Sequence, residues 1–212
     1  MIYDDYLEYK KCPIIFGNSK VKLDVFLTMK YLEFHISDSL RCIKSFNNLN
    51  CYNSQLYGNV EEKKNRISYY HHYMISLLTN LGLIIEGQKT LESIIGGKIY
   101  DFMLEKGARN TIVHIFEKTT KYYNMGIKVN GFNVIEDEND LKFRDIKTPL
   151  GTLDLIDNRI LIYGDNKSNK KEEDIKSYTI DLIKLKMNLE NYLIEIKHFN
   201  EYINNFFQVV ND

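Results

Sequence analysis

Glycine-rich phosphate loops, nucleophile elbows, HExxH pairs and Cys/His metal clusters are all missing from this 212-residue chain. Nucleotide-dependent, acyl-transfer and metalloenzyme chemistry therefore have no familiar motif to stand on. Cysteine is scarce: Cys12, Cys42 and Cys51 are odd in number and lack metal-ligand spacing, which points to reduced thiols rather than a disulfide framework. Only two prolines occur and no Pro/Gly/Ser-rich stretch divides the chain, which favours one domain over residues 1–212. Neither sign of charge dominates, with 28 Lys and Arg against 29 Asp and Glu, so an anionic partner has to be met by a local basic patch. Long apolar runs are absent too. The most apolar window, Tyr73 to Ile85, is interrupted by Ser76, Thr79, Asn80 and Gly82 and is too short to span a bilayer. The start Met1-Ile2-Tyr3-Asp4-Asp5 has neither the basic nor the apolar region of a signal peptide, so a cytoplasmic protein without a membrane segment is expected.

What is present is helical periodicity. Hydrophobic residues make up 44% and charged residues 27%, enough apolar side chain to build a core. At the C-terminus Ile175, Tyr178, Leu182, Leu185, Leu189, Tyr192, Ile196, Phe199, Ile203, Phe206 and Val210 alternate spacings of three and four, a heptad seam. Asn169 with Glu172 makes a capping box, and Glu172, Glu173 and Asp174 suit a first turn, so a helix is predicted over 170–209. A second amphipathic stretch runs from Ser19 to Phe46, with Val25, Met29, Leu32, Ile36, Ile43 and Phe46 on one stripe. A third begins near Asn59 and carries Tyr69, Tyr73, Leu77, Leu81 and Ile84, weakened by Gly82 and Gly87 and broken at Gly96-Gly97. A fourth helical region is expected over Lys98–Asn124, with Gly107 as a joint. Between these and the last helix, Leu141–Ile146 and Thr152–Tyr163 alternate with period two around Asp157-Asn158, which predicts a small β-hairpin near 141–163. Its acidic lead, Glu136-Asp137-Glu138-Asn139-Asp140, reads as a solvated loop rather than a metal site. The expected fold is mainly all-α: an antiparallel bundle with long N- and C-terminal helices and a hairpin insertion.

One cluster suits chemistry: Gly107-Ala108-Arg109-Asn110-Thr111-Ile112-Val113-His114. On a helix Asn110 and His114 share a face, so the amide can orient the imidazole, and Arg109 is long enough to reach the same spot. An arginine that grips phosphate and a histidine that moves a proton are the minimum for cleaving an RNA backbone without metal or cofactor. Lys106, Lys118, Lys121 and Tyr122 surround the cluster with charge and an aromatic face suited to RNA. The bland readings compete: His71-His72 point apart on a helix, and His35 and His198 stand alone.

At Arg109-Asn110 followed by His114 the sequence resembles the HEPN superfamily, whose ribonucleases carry an Arg, usually followed by Asn, Asp or His, with a His four to six residues after the Arg. The resemblance covers the motif and, loosely, a helical bundle, about half of the chain. With five arginines and five histidines, chance predicts about 0.35 such spacings, falling to about 0.04 when Asn must follow Arg. Arg66 with His71 or His72 meets the looser pattern, but Ile67 follows that arginine. The resemblance implies a metal-independent endoribonuclease, a toxin or phage-defence effector, acting on RNA as a homodimer under an antitoxin or activator. Arg109 would hold the scissile phosphate, His114 would transfer the proton, and Asn110 would position His114. Relatives paired with a nucleotidyltransferase antitoxin carry a modifiable Tyr two residues after the His. Here that residue is Phe116, which argues against such a partner. The competing expectation is a catalytically silent helical module that binds a nucleotide or protein and dimerises through its long helix.

Overall fold

The computed structural model describes residues 19–53, 60–102, 104–114, 132–144, 146, 148, 150–165 and 175–210. Helix predominates: α1 (Ser19–Asn53), α2 (Val60–Ile95), the short α3 (Lys106–Val113) and α4 (Leu182–Val210), with a 3-10 helix over Glu138–Phe143. Four strands form one sheet in chain order: β1 (Asn133–Ile135), β2 (Thr152–Asp154), β3 (Arg159–Asp165) and β4 (Ile175–Asp181). Among the described residues no helix is long and apolar enough to cross a membrane.

The stripe expected on α1 is the stripe that is buried: Val25, Met29, Leu32, Ile36, Ile43 and Phe46 all lie in the core. They meet Tyr70, Met74, Leu77, Leu81 and Ile84 of α2. The two helices run antiparallel, since Phe46 lies near Tyr70 at one end, His35 bonds Asn80 midway, and Leu32 faces Gly87 at the other. Of the two glycines expected to weaken α2, Gly87 lets α1 approach closely, whereas a Cβ at Gly82 would make only ordinary contact. A Cβ on Gly87 would stand 2.8 Å from Leu32 Cδ2, and one on Gly82 would meet Ile112 of α3. The helix therefore continues to Ile95, where Gly96, at φ 71°, takes the left-handed conformation and donates its N–H to the Glu92 carbonyl. Helix α4 lies against α1 and buries Leu185, Leu189, Tyr192, Ile196 and Phe199 from the heptad seam.

The first part of that seam folds differently. Ile175 and Tyr178 belong to β4, so the predicted start of the last helix at 170 is corrected to Leu182, while the Asn169 capping box lies outside the described residues. Asp181 provides the N-cap: its Oδ1 accepts the backbone N–H groups of Ile183 and Lys184, each at 2.9 Å. The preceding residues alternate, with Tyr178 and Ile180 turned inward and Ser177 and Thr179 outward, which is strand rather than helix period.

The predicted hairpin is real at Thr152–Tyr163, where β2 and β3 pair antiparallel around a turn whose Asn158 takes φ 49°. It is part of a larger sheet: β1 joins β2 in parallel and β4 joins β3 antiparallel, leaving β4 at an edge. Leu141–Phe143 form the end of the 3-10 helix rather than a strand. Asp137 caps that helix by accepting the Asn139 N–H at 2.8 Å, which closes a local turn where a strand was expected.

Buried charge binds the sheet side together. Asp154, fully buried on β2, receives Arg144 Nη2 at 2.8 Å and Arg159 Nη2 at 3.2 Å, and both arginines also reach Asp157. Glu136 is not solvated as the acidic lead suggested: its nearly buried carboxylate pairs with Arg66 of α2 at 3.4 Å. Asp140 is buried as well and accepts the Glu136 N–H. Among the described residues, no group of three or more His, Cys, Asp or Glu side chains could hold a metal ion.

Candidate active site

The eight residues of α3 alternate between burial and display. Ala108, Thr111 and Ile112 are buried, while Lys106, Asn110 and His114 are exposed. Those exposed positions are four apart, so they form one stripe, with Arg109 half-buried beside it. The helix predicted over Lys98–Asn124 is shorter in its described part: residues before Glu105 form no regular helix, and His114 is the C-cap, its N–H bonding the Asn110 carbonyl at 3.3 Å. Lys118, Lys121, Tyr122 and Phe116 lie outside the described residues.

Close packing holds this helix in place. Thr111 donates its hydroxyl to the Gly107 carbonyl at 2.9 Å, tying its side chain to the preceding turn. Ile112 rests against Gly82 of α2. On the other side, a Cβ on Gly164 of β3 would collide with Thr111 Oγ1, and a Cβ on Gly107 would collide with the Tyr178 ring of β4. Two glycines thus let helix, strand and ring approach at van der Waals distance.

An open cleft of about 640 Å³ lies beside α3, lined by Glu105, Lys106, Gly107, Asn110, Lys176, Ser177 and Tyr178. It brings two of the expected residues, Lys106 and Asn110, together with three from β4 that had not been expected. Arg109 and His114 are not in its lining. Their five-residue separation places them roughly 140° apart around an ideal helix, so a single copy of α3 does not point both at one atom. Arg109 forms no ion pair among the described residues.

The other histidines have structural work. His71 donates from Nε2 to the Phe132 carbonyl at 3.2 Å, and with the Arg66–Glu136 pair it fastens α2 to the two flanks of β1. The looser Arg66/His71 match is therefore an anchor. Asn80 is buried and gives its Nδ2 to Asp38 at 2.7 Å, which leaves its Oδ1 to accept from His35 Nδ1 at 2.8 Å. That chain of bonds fixes the His35 ring between α1 and α2. His72 and His198 are exposed.

No family model, curated protein or solved structure matches this chain. Functional inference therefore rests on the residues themselves and on the resemblance at Arg109, Asn110 and His114.

Proposed function

We propose that the protein is a metal-independent endoribonuclease of HEPN type, built on an antiparallel helical bundle, with Arg109, Asn110 and His114 at its centre. The observation that carries this reading is the display of α3: a cation, an amide and an imidazole stand exposed at four-residue steps, next to an arginine that no described carboxylate neutralises.

Arg109 binds a non-bridging oxygen of the scissile phosphate and offsets the charge that builds there. His114 accepts the ribose 2′-OH proton as that oxygen attacks phosphorus. A second histidine gives a proton to the departing 5′-oxygen, leaving a 2′,3′-cyclic phosphate and a 5′-hydroxyl. Because Arg109 and His114 diverge on one helix, the two halves of the reaction fit a homodimer in which each copy supplies a motif. A toxin or phage-defence role in the cytoplasm, held in check by an antitoxin or activator, accords with such an activity.

The same divergence favours one other reading, a silent module that binds RNA or protein. Labelled mixed-sequence RNA incubated in EDTA with wild type, Arg109→Ala and His114→Ala separates them. The ribonuclease reading expects cleavage by wild type alone, with cyclic or 3′-phosphate ends, and a loss of at least about 100-fold in each equally folded variant. Equal cleavage by all three removes this site from the mechanism, and no cleavage by wild type leaves the module.

A further inference from the structure

Five of the seven described residues that line the cleft beside α3 carry groups that can bind a phosphodiester. Lys106 and Lys176 supply two ammonium groups, Asn110 an amide, and Ser177 and Tyr178 hydroxyls. Among the described residues Glu105 is the one carboxylate in the lining, set against two lysines. That balance suits one phosphodiester and disfavours a polyphosphate, whose several charges would be left uncompensated beside Glu105.

Position relates this cleft to the motif. Lys106 and Asn110 lie on the same stripe as His114, and four residues of helix advance roughly 6 Å. Lys106 is twice as far from His114, roughly 12 Å, so a phosphate in the cleft sits about one to two nucleotides along a strand whose scissile linkage is at His114. A second hollow of about 650 Å³ continues from the first: it shares Glu105 and runs along the next residues of β4, Thr179 to Asp181. Its walls are more apolar, with Leu104, Ala108, Ile180, Leu185 and Met187, and carry the amides Asn188 and Asn191. Tyr100 donates its hydroxyl to Asn188 Oδ1 at 2.7 Å and its phenol oxygen also bonds the Asn191 side chain, so one tyrosine orients both amides at the edge of this hollow. An apolar slot edged by amides takes a flat heterocycle that also needs hydrogen bonds, whereas the lysine-lined cleft takes its phosphate.

We infer that the trough along β4 is a nucleotide subsite for single-stranded RNA, adjoining the cleavage position: Lys176 and Lys106 bind the flanking phosphate, and Asn191 reads the base. The inference rests on the ribonuclease reading above for the identity of the strand. It assigns Lys176 and Asn191 as positioning residues that touch substrate away from the reacting atoms.

The test compares wild type, Lys176→Ala and Asn191→Ala on an RNA oligomer and on a dinucleotide that has only the scissile linkage. Lys176→Ala is expected to raise KM about tenfold on the oligomer, leave kcat within about twofold, and leave the dinucleotide unaffected. It should also flatten the log–log salt dependence of oligomer binding by about 0.7, the share of one phosphate on a single strand. An abasic nucleotide placed at successive positions should weaken wild type at one position and leave Asn191→Ala indifferent there. Wild-type cleavage with unchanged KM and salt slope in Lys176→Ala overturns the subsite while the ribonuclease stands. If wild type does not cleave, binding of a 2′-O-methyl oligomer decides the cleft separately: an unchanged Kd and salt slope in Lys176→Ala overturns it, and a shift in both retains the trough as an RNA-binding surface.

Discussion

The α1–α2 hairpin and the sheet with α3 share one apolar core but differ in how much charge they bury. Between α1 and α2 the contact is a wall of fully buried apolar side chains, Leu32, Ile36, Phe46, Tyr70, Leu77 and Leu81 among them, with one polar chain from His35 through Asn80 to Asp38. Across the sheet the fixed points are buried carboxylates: Asp154 between two arginines and Glu136 against Arg66. Apolar burial is non-directional and tolerates sliding, whereas a buried ion pair demands one geometry. The side that carries the candidate site thus adds buried ion pairs, at the β2–β3 turn and between α2 and Glu136, to its apolar packing, while α3 itself is seated by Ala108, Ile112 and the two glycines.

Asp154→Ala breaks that arrangement most severely. It leaves Arg144 and Arg159 beside each other with only the half-exposed Asp157, and the expected cost is about 3 kcal/mol in denaturant unfolding. Hydrogen exchange should show β2 and β3 amides losing protection before those of α1 and α2. Uniform loss of protection would mean that the two regions unfold as one and that their different construction has no energetic consequence.

Gly107→Ala probes where the regions meet, at smaller cost. The added Cβ collides with Tyr178, and either the ring or α3 has to move. The overpacking penalty, about 1–3 kcal/mol, is partly offset by a gain of about 1 kcal/mol from replacing glycine within a helix. Net destabilisation of about 1 kcal/mol is expected, together with a loss of RNA cleavage larger than that stability change explains. In a Tyr178→Ala background, itself less stable, Gly107→Ala should carry no further penalty because the ring no longer stands in the way. A penalty that persists there would show that the close approach of α3 to β4 does not set the position of the motif.

What the sequence disclosed divides along the same line. The core faces of α1, α2 and α4 follow from period and burial, because a helix's apolar stripe is written in nearby residues. Strand β4 was obscured because Ile175 and Tyr178 fit a three-four spacing as readily as an alternating one. The deciding residue was Asp181, a cap placed after Tyr178-Thr179-Ile180. The Arg66–Glu136 and Arg144–Asp154 pairs join residues ten to seventy positions apart, and no local pattern announces them. At the candidate site Arg109, Asn110 and His114 were legible as a motif; Asn110 and His114 are exposed and Arg109 is half-buried. Lys176 and Ser177 were not legible, since only the pairing of β3 with β4 and the two glycines beneath α3 bring them to Asn110.

The smallest expected effect sharpens the comparison from the apolar side. Cys42 is buried on α1, and burial, helped by the charge of Asp38, pushes its thiol up to about 11, with Arg41 opposing. The folded state therefore prefers the protonated thiol. That preference contributes to stability in full below the unfolded pKa near 9 and is lost as pH rises through about 11. In a Cys12→Ser, Cys51→Ser background, iodoacetamide at pH 8 should label Cys42 only at the rate of local or global opening, because both access and thiolate are lacking in the closed state. Adding Asp154→Ala then asks whether the sheet's charges support the helices. If the two regions open separately, Cys42 labelling stays slow while the β2 amides exchange freely. If labelling rises in step with the loss of global stability, the helical hairpin depends on the sheet's ion pairs, and the molecule is one cooperative unit.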